Sequence, residues 1–148
     1  MPIPALDECG LLPAGIHDCA LGEIAARFGV FQGNEQRPRL IAKLEALVAE
    51  AQASGIVLAL IVDGSFVTDK RDPGDIDLAV VLPVEIGEDA DLLPMQYNLV
   101  SKRSVRRRFG FDIVVAGEKT SEYKEAVAFF QQVRGQPAMR KGILRISL

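Results

Sequence analysis

Apolar residues along the chain fall into helical and extended patterns that follow one another. Leu21, Ile24, Ala25 and Phe28 make one face of a short helix over about Ala20 to Phe28, with Asp18 as the expected cap and Gly29 as the stop. A longer helix over about Glu35 to Ser54 carries Leu40, Ile41, Leu44, Leu47 and Val48 at helical spacing and closes at Gly55, as a core helix does. IVLALIVD (56–63) is a β-branched apolar run of buried-strand length that stops at Asp63 and Gly64. After a loop ending in Pro73-Gly74, IDLAVVLP (76–83) predicts a second strand stopped by Pro83. Beyond an acidic loop at 84–90, a helix is expected over about Leu92 to Arg108, with Pro94 near its start. FDIVVAG (111–117) predicts a third strand. Thr120 or Ser121 then caps a helix to about Arg134, with Tyr123, Ala126, Val127 and Phe130 on one face, and ILRISL (143–148) alternates as a short C-terminal strand.

These elements describe an α/β (α+β) chain: a single domain whose mixed central sheet of about four strands is flanked by helices. Pro2, Pro4, Gly10, Pro13 and Gly15 punctuate the first residues too often for regular structure, so residues 1–17 read as an N-terminal arm over a domain spanning 18–148.

At 148 residues and 49% hydrophobic, the chain can bury a core without cross-links. Cys9 and Cys19 have no CxxC spacing and suggest neither zinc nor a disulfide. The start lacks a basic leader, and no apolar run approaches the roughly 18 residues of a membrane span, so a soluble, cytoplasmic protein without membrane association is expected. The formal charge of −3 supplies no global field toward nucleic acid. One histidine, His17, and no Ser-His-Asp pattern leave little for nucleophilic catalysis by histidine; His17 and Cys19 read as structural. Carboxylates must carry any chemistry.

Asp75 and Asp77 alternate with Ile76 and Leu78, so two carboxylates about 6 to 7 Å apart stand on one side of a strand's beginning. Their repulsion, roughly 2 to 3 kcal/mol at an effective dielectric of about 20, suits a site that a cation neutralises. Mg²⁺ takes oxygen ligands and shares its shell between one or two carboxylates, water and phosphates. The bland alternative is a turn aspartate plus an exposed strand residue. Asp112 joins the same cleft if its strand neighbours the second, and three carboxylates suit a two-metal phosphoryl-transfer centre; by itself it could be a solvated edge residue. Gly64 allows close backbone approach to a phosphate, and the Ser65 hydroxyl and nearby N–H groups can donate to it. Lys70 and Arg71 lie between the motif halves, either reaching a γ-phosphate or decorating a solvated turn. Lys102, Arg103, Arg106, Arg107 and Arg108 precede the third strand, where they steer a nucleotide or RNA acceptor or form a solvated helix face.

Gly64-Ser65, nine intervening residues, Asp75-Ile76-Asp77-Leu78 and the later Asp112 resemble the signature of the DNA polymerase beta-like nucleotidyltransferase superfamily. GSFVTDKRDPGDIDL resembles small stand-alone bacterial members that are uncharacterised. The resemblance covers about residues 56 to 116 and implies roles for these residues. Gly64 and Ser65 would hold the triphosphate, Asp75 and Asp77 both metals, and Asp112 one metal and the acceptor hydroxyl. Mg²⁺ or Mn²⁺ would be the cofactor and a nucleoside triphosphate the donor; the acceptor is a small molecule, RNA or protein. Larger members grip base or acceptor with a C-terminal helical domain, and only about 30 residues follow the third strand here. That shortfall leaves room for a helical protein partner or a second copy. It also motivates an alternative function, a nucleotide-binding or regulatory module of a toxin-antitoxin-like pair with little turnover.

Overall fold

The computed structural model describes residues 3–29, 36–71, 73–86 and 90–148. In chain order the elements are β1 (Gly15–Asp18), α1 (Leu21–Phe28), α2 (Gln36–Ser54), β2 (Ala59–Asp63), β3 (Asp77–Leu82), α3 (Pro94–Val100), α4 (Lys102–Phe109), β4 (Asp112–Gly117), α5 (Ser121–Phe130), β5 (Gln132–Val133), β6 (Gln136–Arg140) and β7 (Gly142–Ser147). Glu35 and part of the acidic loop lie outside the described residues.

A mixed α+β architecture results, built on a five-stranded sheet in the order β1-β7-β2-β3-β4 with β5-β6 as a separate pair. The apolar run of β2 is buried throughout because the strand is central and both its faces are covered. Leu60 and Val62 join a large core with Ile24 and Phe28 of α1, Leu44 and Leu47 of α2, Leu99 of α3 and Val105 of α4. Ala59 and Ile61 face the other way, into a smaller core with Ala79, Val81, Ile143 and Phe130 at the end of α5. Among the described residues, no helix is long and apolar enough to cross a membrane.

Three expectations are corrected. Gly15–Asp18 is a strand, not part of an irregular arm: it pairs in parallel with β7, Gly15 opposite Gly142, and so makes the sheet one strand wider than expected. His17 Nε2 donates to the Pro13 carbonyl at 2.6 Å. The chain before β1 lies so close to β7 that a Cβ on Gly142 would sit 2.0 Å from the Pro13 oxygen. Asp18 therefore ends β1, and Ala20 takes the N-cap of α1, its N–H donating to Glu23. Second, the helix expected over Leu92 to Arg108 is two, broken at Ser101, whose extended backbone and hydroxyl cap α4 by accepting from the Ser104 N–H. Third, α5 stops at Phe130 instead of running to Arg134, and the chain turns back at Arg134-Gly135 into the β5-β6 hairpin. Gly135 takes φ +78°, a conformation that glycine adopts without strain.

The buried charge of the large core is Arg37, fully enclosed in the first turns of α2. Its Nη1 donates to the carbonyls of Phe28 (3.1 Å) and Phe66 (2.7 Å), and its Nη2 to those of Thr68 (2.9 Å) and Lys70 (2.5 Å). The guanidinium also stands 5.4 Å from the Phe66 ring centroid. One planar fork thus satisfies carbonyls from the end of α1 and from the loop after β2, a geometry that a lysine ammonium cannot reproduce. Burial pulls its pKa down, with the charge of Asp69 opposing.

Replacing Arg37 by Leu leaves these carbonyls without a donor and is expected to lower the unfolding free energy by about 3 kcal/mol or more. Arg37→Lys, which keeps the charge but not the fork, should lose most of the same amount. Urea unfolding measures both; losses below about 1 kcal/mol in both variants would show that the loop holds without the guanidinium.

Candidate functional site

The mixed strand directions bring the end of β2 and the beginnings of β3 and β4 to one end of the sheet. Asp63 stands opposite Asp77 in the antiparallel β2–β3 pair, and Asp77 beside Asp112 in the parallel β3–β4 pair. Strand alternation puts all three on the face that α5 covers: Asp63 continues the side of Ala59 and Ile61, and Asp77 that of Ala79 and Val81. Asp75 lies just before β3 rather than in it, and is exposed.

The loop after β2 reaches the same place. Gly64 has φ +96°, and a Cβ there would meet the Asp77 nitrogen at 3.0 Å and the Asp75 carboxylate at 3.3 Å, so any side chain at this turn is both strained and crowded. Ser65 opens a short 3-10 turn to Val67, and its hydroxyl donates to Asp75 Oδ1 at 3.4 Å. Phe66 and Val67 anchor the turn in the core, while Arg37 bonds the Phe66 carbonyl within it and the Thr68 carbonyl just after it. The expected residues Gly64, Ser65, Asp75, Asp77 and Asp112 are thus brought together. Lys70 is fixed through its backbone, with its side chain exposed; none of the contacts among the described residues joins that side chain to the carboxylates.

Two cations from the chain itself bracket the row. Lys141 Nζ donates to Asp63 Oδ1 at 2.8 Å, with both side chains largely buried. Arg106 Nη1 donates to Asp112 Oδ1 at 2.5 Å, but that pair is about two-thirds exposed on each side (63% and 67%). The basic run therefore splits: Arg106 turns to the site, whereas Arg108 bonds Glu50 and lies over the Phe109 ring. Between these pairs stands Asp77. Its carboxyl is pushed up to about 6, by burial first and then by the charges of Asp75, Asp63 and Asp112, with Lys141 pulling it back. Burial also pushes the Asp63 carboxyl up, against the Lys141 charge and the Gly64 N–H. Among the described residues no three acidic, histidine or cysteine side chains form a ready-made metal group. The donors are nonetheless all hard anionic oxygens, and the charge crowding at Asp77 is of the kind a divalent cation relieves.

Asp63, Lys141 and the β5-β6 hairpin are the parts of this site that motif reading missed. Asp63 carried a signal, since a carboxylate closing an otherwise apolar central strand has to find a partner. Lys141 is 78 residues away from it and carried none.

A cavity of about 690 Å³ opens beside the row, floored by Asp63 and Asp77 and walled by Phe129 and the hairpin. A second, of about 730 Å³, lies at the other end of β3 and β4 and is largely apolar, lined by Leu82, Val84, Tyr97 and Val115 among others.

The raised Asp77 carboxyl has a stability consequence. Its protonated form is favoured by the fold, so between about pH 4 and 6 the folded chain binds more protons than the unfolded one, and stability falls as pH rises. In chelator-treated protein, wild type should lose roughly 1 kcal/mol relative to Asp77→Asn across that range, a figure discounted for a half-exposed group. Parallel urea titrations at several pH values would show a constant difference if Asp77 titrates normally.

No curated protein and no solved structure shows a significant match to the chain. One family model covers nearly its whole length, from residue 4 to residue 147. The chain belongs to that family, DUF6932, a family of unknown function.

Proposed function

We propose that the chain is a Mg²⁺-dependent nucleotidyltransferase with a nucleotidyltransferase-like fold, which moves a nucleoside monophosphate from a nucleoside triphosphate to a hydroxyl of a small molecule, RNA or protein. The observation that carries this reading is the strand register that sets Asp77 beside Asp112, with the Gly64-Ser65 turn against Asp75 and Asp77.

Asp75, Asp77 and Asp112 are the residues that would hold Mg²⁺, or Mn²⁺ in its place. When bound, the metal supplies charge neutralisation for the triphosphate and for the pyrophosphate leaving group. The chain does the rest by positioning. Backbone N–H groups of the Gly64-Ser65 turn and the Ser65 hydroxyl donate to phosphate oxygens, and Lys70 adds a cation from the same loop. The acceptor oxygen bonds to the α-phosphorus as the bond from that phosphorus to the pyrophosphate oxygen breaks, and Asp112 takes the hydroxyl proton. Arg106 must first release Asp112; an exposed ion pair of this kind holds by only about 1 kcal/mol or less.

A second reading rests on Arg106 and Lys141, which already neutralise two of the carboxylates. On that reading the chain binds nucleotide with little turnover, as a regulatory half of a toxin-antitoxin-like pair whose helical partner or second copy completes the site.

Incubating the protein with α-phosphate-labelled ATP, GTP, CTP and UTP, Mg²⁺ or Mn²⁺ and a lysate separates the readings. Transfer of label to an acceptor, reduced about 100-fold or more in folded Asp77→Asn and Asp112→Asn, is the expected result. Binding without transfer favours the regulatory module, and neither binding nor transfer by wild type sinks both.

A further inference from the structure

The cavity beside the aspartate row has an asymmetric lining. Its floor is acidic, Asp63 and Asp77, whereas its wall carries Arg134, Arg140 and Lys141 and the ring of Phe129. Phe129 is 65% exposed, an unusual state for a phenylalanine, and it stands next to Phe130, which is buried and anchors the end of α5 in the smaller core. Their ring centroids are 6.1 Å apart. The hairpin that presents the arginines is covalently fixed at both ends: β5 begins two residues after Phe130, and β6 ends at Arg140, next to the Lys141 that grips Asp63. Arg140 is held along the hairpin by bonds to the Pro137 and Met139 carbonyls. An exposed aromatic face with cations beside it fits a planar base joined to a polyanion, and about 690 Å³ lies within the range of pockets for ligands of that size.

We infer that this cavity is the donor-nucleotide subsite: the base stacks on Phe129 while Arg134 and Arg140 of the hairpin take up the phosphates, with Asp63 and Asp77 at the floor. The inference rests on the nucleotidyltransferase reading and assigns a nucleotide-gripping role to the hairpin. Lys141 belongs to the same wall. Its ammonium, paired with Asp63, offsets one of the two carboxylates of the floor and so lessens their repulsion of the polyanion.

The test uses the full chain, with fluorescence or calorimetric titration of Mg-ATP, adenosine and inorganic tripolyphosphate, and thermal melts to check folding. Phe129→Ala should weaken ATP and adenosine about tenfold and leave tripolyphosphate unchanged, while Phe129→Tyr retains binding. Arg134→Gln with Arg140→Gln should weaken ATP and tripolyphosphate about tenfold or more and leave adenosine unchanged. If Asp77→Asn abolishes Mg-ATP binding but the Phe129 and arginine variants bind as wild type, the subsite is overturned and the proposed activity stands. If wild type binds no triphosphate with Mg²⁺, the activity falls and the subsite with it. Equal loss of all three probes in a folded Phe129→Ala variant would likewise overturn the assignment of the ring to the base.

Discussion

The buried guanidinium of Arg37 is the constraint on which the arrangement of the site depends. A charge enclosed in a core is tolerated where hydrogen bonds compensate it, and here the Nη1 and Nη2 donors are met by carbonyls of Phe28, Phe66, Thr68 and Lys70. Those carbonyls belong to the end of α1 and to the loop that follows Gly64. The interaction therefore does more than stabilise: it fixes where the loop leaves the sheet, and so where Ser65 and the Gly64 N–H stand relative to Asp75 and Asp77. A loop held from beneath in this way meets the entropic cost of ordering during folding.

Above this scaffold, electrostatics decide what the aspartate row can hold. Asp63 is neutralised by a largely buried lysine and Asp112 by an exposed arginine, and the two pairs differ in kind. Breaking the first would leave a carboxylate enclosed without a partner, so Lys141 is a fixed part of the site. Breaking the second exposes both groups to water at little cost, so Arg106 is replaceable. Asp75 and Asp77 are left to face one another and the row, which is where the unrelieved charge accumulates.

How far the sequence disclosed this follows from the range over which each signal acts. β2, β3 and β4, and the helices α1, α2 and α5, were legible from apolar period and caps, which are local. The Ser101 break was hidden because five basic residues after it continue a helical pattern, and a hydroxyl that caps can equally well sit inside a helix. β1 was hidden because GIHD is too short and too polar to announce a strand; its partner β7 makes it one. At the site, Gly64, Ser65, Asp75, Asp77 and Asp112 were legible because their spacing is local or carried by a motif. Lys141, Phe129 and the pairing of Arg106 with Asp112 were not, because their relevance comes from which strand ends meet.

That meeting is a property of the mixed sheet. In an all-parallel sheet the ends that face one side are all carboxyl ends, and a site there is built from residues that follow strands. Here β2 runs against β3 and β7, so the end of one strand and the beginnings of the four others share a side. Asp63 can therefore follow its strand while Asp77 and Asp112 begin theirs, and Lys141 precedes β7. The same geometry dictates where the β5-β6 hairpin stands: the segment that leads into β7 has to arrive at the acidic end, so whatever α5 hands over at Phe130 is delivered beside the aspartates. An arginine-bearing hairpin inserted at the opposite strand ends, after β3 or after β4, would have lain away from the row.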